Sequence, residues 1–119
     1  MTAKESIVVD GLPKQPKGLK YDDDKLDWAL LPILATEETL KVLMEGAKKY
    51  ERHNWLFVSD HKRRYYNAAM RHIQAYRKGE KADHETGLSH LAHAICCLMF
   101  LLERNLVEAG YNEPQREGF

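Results

Sequence analysis

Apolar residues recur every three or four positions in three segments of this chain, and nowhere do they hold the two-residue alternation of a strand. Leu40, Leu43, Met44, Ala47 and Tyr50 make the first stripe. It follows Thr36, whose hydroxyl suits a helix start, with Glu37 and Glu38 at the positive end of the dipole, and the helix is predicted to end near Glu51. Asp60 heads a second helix from about His61 to Lys78, with Tyr65, Ala69, His72 and Tyr76 on one side and Gly79 as its stop. The third segment is the most apolar. After a tight turn at Glu85, Thr86 and Gly87, the residues Leu88, Leu91, Ile95, Leu98, Met99, Leu102 and Leu106 form one stripe. His90, Ala94, Cys97 and Leu101 form another, and the helix runs to about Ala109 before Gly110. A helix apolar on several sides is expected to be central and buried.

Between these segments the punctuation is clear. Gly11, Pro13, Pro16 and Gly18 make residues 1–20 an extended arm, with a short extended piece at Ile7 to Val9. Asp22 to Asp24 head a short turn that Pro32 limits, and His53 to Ser59 reads as a loop anchored by Trp55 and Phe57. Residues 111–119, with Pro114 and Gly118, read as a loose tail. The predicted fold is all-α: a compact bundle of three main helices plus one or two short ones over residues 21–110.

Size and charge narrow the function. A chain of 119 residues supports a single domain with one modest core. Eighteen basic and eighteen acidic residues cancel, so net charge calls for neither a nucleic acid polymer nor a membrane surface. The apolar run from Ile95 to Leu102 is too short to cross a bilayer, and Lys4, Glu5 and Asp10 interrupt any leader-like stretch. Cys96 and Cys97 are neighbours on a helix, too divergent in direction to bridge each other, and read as reduced thiols in a cytoplasmic protein.

The chemistry is carried by a few residues. No nucleophile elbow and no glycine-rich phosphate loop is present, because Gly46, Gly79 and Gly87 are isolated. His90 and His93 begin the apolar helix. There they are either hydrogen-bonded core groups or the wall of a site, since an unsatisfied buried imidazole is costly. With Cys97, and His72 as a fourth ligand, they have the donor types of a zinc site. Carboxylates for magnesium are available in Glu37, Glu38 and Glu45 on one helix together with Asp83 and Glu85 before another. Lys48, Lys49 and Arg52, then Arg63, Arg64 and Arg71, are cations on either side of Trp55. They read either as phosphate ligands around an aromatic platform or as a solvated basic face with a buried anchor.

Taken in order, several blocks resemble a known family. They are Tyr21-Asp22 with Lys25; Leu30-Leu31-Pro32; Gly46-Ala47-Lys48-Lys49-Tyr50 and Asn54-Trp55; Ala69 with Arg71-His72; Gly79-Glu80; and Asp83-x-Glu85-Thr86-Gly87-x-x-His90-Leu91-x-His93-Ala94. From about Lys20 to Glu103 this set is similar to the phage-encoded N-terminal domain of dATP/dGTP diphosphohydrolases. The resemblance implies a phage or prophage protein that binds or cleaves purine nucleotides in the bacterial cytoplasm. Helical pyrophosphohydrolases of the MazG type carry Glu-Glu-x-x-Glu and Glu-x-x-Asp blocks for magnesium; here Lys41 and Leu88 stand at the last position of each.

Two functions stay open on these residues. As a hydrolase, the chain would hold phosphates with Lys48, Lys49 and Arg71, assisted by Lys25 and His72. Mg2+ or Mn2+ would sit on Asp83 and Glu85, His90 or His93 would orient water or act as base with Glu85, and Asn54 and Trp55 would meet the purine. As a non-catalytic anti-defence protein, it would sequester a host signalling nucleotide with the same basic and aromatic residues. A helical domain this short is expected to complete its core as a homo-oligomer.

Overall fold

The computed structural model describes residues 18–112. Residues 1–17 of the proposed arm and residues 113–119 of the tail lie outside the described residues. The chain divides into two compact units, Met1–Leu30 and Leu31–Phe119. The described part of the first holds a turn, in which Lys25 N–H donates to the Asp22 carbonyl, and a 3-10 turn at Trp28–Leu30. An Asp27 carboxylate oxygen accepts from Ala29 N–H at 3.1 Å and caps that turn.

The second unit is built from α1 (Ile33–Lys49), a 3-10 turn (Asn54–Phe57), α2 (His61–Arg77) and α3 (His90–Glu108). The fold is all-α with three main helices, as the periodicity predicts. Among the described residues the sole extended pairing is an isolated bridge between Ala82 and Ser89. Helix α3 packs on both α1 and α2, and most extensively on α2, so it is the central helix. By length and composition it is also apolar enough to cross a membrane. Its contacts with the other two helices cover only part of that apolar surface.

Helix boundaries follow local chemistry. Helix α1 begins one turn before Thr36, because Pro32 supplies a fixed φ of −65° at the N-cap. Thr36 does not cap; its hydroxyl donates back to the Pro32 carbonyl at 2.7 Å. Asp60 sits before α2 in the left-handed region (φ 53°) and binds Arg63 Nε at 2.6 Å rather than a backbone N–H. Gly79 (φ 102°) ends the α2 region in a conformation that glycine tolerates best. Helix α3 starts at His90, five residues after Glu85. Ser89 is its cap, accepting Leu91 N–H at 3.1 Å.

The face that is buried differs from the face that looks most apolar. On α1 the buried residues are Thr39 and Val42, whereas Leu40, Met44 and Tyr50 are 50, 61 and 59% exposed. On α3 the buried residues are His90, Ala92, Ala94, Cys96 and Cys97; Leu91, Ile95, Leu98, Met99 and Leu102 stay 39–59% exposed. The core is Val42, Ala92 and Cys96, with Leu43, Leu88 and Phe100 packed against it. Small side chains on α3, and Ala69 on α2, let backbones approach, and dense packing then follows at close range. Thr39 is satisfied in this core by donating to the Ala35 carbonyl at 2.8 Å. Burial drives the thiols up, Cys96 to about 12 and Cys97 to about 11, so both are protonated and unreactive at neutral pH.

Candidate functional site

The segment between α2 and α3 folds back on itself around one side chain. Asp83 Oδ2 accepts from the N–H groups of Glu85 (3.1 Å) and Thr86 (3.0 Å) and from Thr86 Oγ1 (3.2 Å). The Asp83 backbone closes the same turn: its N–H donates to Leu88 O and its carbonyl accepts from Gly87 N–H, both at 2.8 Å. Gly87 takes φ 72° here. His90 N–H then donates to Lys81 O at 2.9 Å, joining the turn to the start of α3. Aspartate three residues before threonine in a glycine-containing loop is the pattern of such a turn.

Three histidines gather against it. His72 Nδ1 and His90 Nδ1 lie 2.8 Å apart, and the His72 and His93 rings stack with centroids 4.5 Å apart at 10°. His93 Nε2 is 2.8 Å from Thr86 Oγ1 and 3.9 Å from Asp83 Oδ2. His90 is only 6% exposed, and its Nε2 is buried without a hydrogen-bond partner. Burial lowers the His72 pKa, and the neighbouring His93 and His90 lower it further, against the opposing charge of Asp83. Burial likewise lowers His93, although Asp83 pulls the other way. Burial alone would raise Asp83. The Thr86 and Glu85 donors and the His93 charge outweigh it and hold the carboxyl below its usual range. At neutral pH the result is an ionised Asp83 carboxylate beside neutral His72 and His93 imidazoles.

The cationic and aromatic residues meet the same place. A single cleft of about 1550 Å3 is lined by Lys48, Lys49, Asn54, Trp55, Arg71, His72, Asp83, Glu85 and His93. It brings together residues from the end of α1, the 3-10 turn, the body of α2, the α2–α3 loop and the first turn of α3 that are up to 45 positions apart in sequence (48 to 93). His90 is reached through its contact with His72. Lys25 belongs to the first compact unit.

Individual placements refine the roles open to these residues. Glu85 binds Lys49 Nζ at 2.7 Å, and this pair is largely solvent-exposed. Among the described residues, the set whose donor atoms lie within 4.8 Å of one another is His72, Asp83 and His90; neither Glu85 nor Cys97 belongs to it. Glu38 pairs with Lys41 at 2.9 Å and Glu45 with Lys48 at 3.6 Å, so these α1 carboxylates are surface partners of lysines. Arg71 makes no ion pair with a carboxylate among the described residues, and its charge is open to an anion. Trp55 stacks on Phe100 (4.7 Å, 13°), Tyr65 meets Phe100 edge-on at 5.2 Å, and Arg104 donates to the carbonyls of Trp55 (3.3 Å) and Val58 (2.8 Å). The sequence hinted at Arg104 only as the lone arginine of an apolar helix, and at Thr86 only through its spacing from Asp83.

Fold and cleft define a small all-helical domain in which cations, the Trp55 ring and a histidine–aspartate cluster meet at one opening. The chain belongs to the family described as dATP/dGTP diphosphohydrolase, N-terminal, whose model matches residues 15–113. It is 39% identical over 84 residues to a dATP/dGTP diphosphohydrolase of Salmonella phage PMBT28. That match takes in 71% of this chain and spans 28% of the length of the phage protein. No solved structure matches the chain.

Proposed function

We propose that the chain binds a purine deoxynucleoside triphosphate in this cleft and hydrolyses it to the monophosphate and pyrophosphate. The observation that carries this reading is the convergence of Lys48, Lys49, Arg71, Trp55, Asp83 and His93 on one cavity, in a family whose phage relative bears that activity in its name. Arg71, uncompensated by a carboxylate, is the primary phosphate anchor; a guanidinium presents a fork to phosphate oxygens. Lys49 joins it when a triphosphate, carrying more charge than Glu85, displaces that carboxylate. Neutral His93, oriented through Thr86 and Asp83, accepts a proton from the attacking water. A divalent cation, when bound, neutralises charge on the phosphates. Incubation with dATP or dGTP and Mn2+ or Mg2+, followed by chromatography, should yield dAMP or dGMP with pyrophosphate in equal amounts. Arg71→Ala should raise KM or abolish turnover. Stoichiometric nucleotide binding without product overturns hydrolysis in favour of sequestration.

We also propose that two copies pair through the apolar surface left exposed on α1 and α3. Leu40, Met44, Met99 and Leu102 are exposed and line the same cleft as the charged residues. Such a surface is too apolar to leave in water, and a second copy laid over it would wall the open side of the cleft. Light scattering after gel filtration should give twice the chain mass. Leu98→Glu, which puts a charge on the exposed side of α3, should shift the protein to monomer; a monomeric parent at micromolar concentration overturns the pairing.

A further inference from the structure

We infer that His72, Asp83 and His90 form a centre for a six-coordinate divalent transition metal. Each offers a donor atom, and the three donors lie within 4.8 Å of one another. The two imidazoles face each other through Nδ1 at 2.8 Å. At a metal–nitrogen distance of about 2.1 Å, nitrogens that far apart subtend about 84° at a shared cation. That angle is close to the roughly 90° of an octahedral site and far from the roughly 109° of tetrahedral zinc.

The donor types narrow the choice further. Two imidazoles and one carboxylate suit manganese, iron, cobalt or nickel, whereas magnesium takes oxygen ligands almost throughout. Three protein ligands leave three positions of an octahedron for water or phosphate oxygens. The loop around Asp83 supplies the kind of support that metal ligands ordinarily receive. Asp83 is oriented by three donors on Oδ2. Thr86 Oγ1, one of the three, also meets His93 Nε2, which makes Thr86 a positioning residue for Asp83. His90 is buried and its backbone N–H donates to Lys81 O, so its place at the start of α3 is set before any ion arrives.

The inference stands on the geometry of the three side chains and does not depend on the hydrolytic reading. The test uses the full chain, stripped with chelator and dialysed, with Co2+ as probe and no nucleotide present. One equivalent of Co2+ should bind, raise the melting temperature, and show the weak visible absorption of a six-coordinate ion. Mg2+ at the same concentration should do neither. Even outer-shell changes weaken metal sites by about 10–100-fold, so His72→Ala should lose about a hundredfold or more in Co2+ affinity. His72 is only half-buried, so this variant should keep the parent's far-ultraviolet circular dichroism; Asp83→Asn serves as the second variant. Intense tetrahedral bands, equal binding of Mg2+, or undiminished Co2+ affinity in both variants overturns the centre. Because nucleotide is absent, failure here leaves the hydrolysis reading standing, and absence of turnover leaves the metal centre standing.

Discussion

Asp83→Ala is expected to lower stability by roughly 2–3 kcal/mol in urea denaturation and to abolish nucleotide turnover. The carboxylate accepts three hydrogen bonds within its own loop, and its removal leaves the Glu85 and Thr86 N–H groups without their partner. Bonds to a charged acceptor are worth about 1.5–3 kcal/mol each when buried. The Asp83 side chain is 21% exposed, so water recovers part of that loss. Asp83→Asn keeps an acceptor for the two N–H groups and should cost less than about 1 kcal/mol, while still removing the charge. The pair has a pH signature. Because the folded state holds the Asp83 pKa below its usual range, the ionised form is the one stabilised. That contribution is complete above the unfolded carboxylate pKa of about 4 and is lost as pH falls through the lower folded value. The stability gap between parent and Asp83→Asn should therefore narrow below about pH 4. An alanine variant as stable as the parent would show that the loop does not depend on this side chain.

Trp55→Ala is expected to cost roughly 2–4 kcal/mol of stability and, separately, to weaken purine nucleotide binding by about 1–3 kcal/mol. The ring lies flat on Phe100, which itself packs against the Val42–Ala92–Cys96 core. Losing it removes an aromatic pair and exposes the ring below. It also faces the cleft with Asn54 and Arg71, where the proposed purine would meet it. Trp55→Phe should retain most of the stability and part of the binding. Trp28 is the only other tryptophan, and a Trp28→Phe background assigns fluorescence changes on nucleotide addition to Trp55. If Trp55→Ala unfolds at the same urea concentration as the parent, the ring is not an anchor. If it binds dATP as tightly, the ring is not a base platform.

The two residues differ in how far the sequence alone reveals them. Helical periodicity is a local property, so the three helices, their order and the glycine stop at Gly79 could be read directly from the chain. Local turn chemistry was legible too, with Asp83 three residues before Thr86 and glycine at 87. Helix α1 starts a turn before Thr36, because Pro32 initiates it. Ser89 caps α3, and Glu85, in the turn before it, answers Lys49 across the cleft.

What the sequence determined by itself is the set of helices and the inventory of cations, imidazoles and carboxylates; only tertiary structure decided which of them meet. The large aliphatic residues of α1 and α3 carry the stronger periodic signal, yet the smaller stripe is buried. A helix packs where its backbone can come close, and that depends on the facing surface as much as on its own. His72 and His90 are 18 residues apart on different helices. Their 2.8 Å contact depends on where α2 and α3 cross, a long-range geometry that no spacing within either helix encodes.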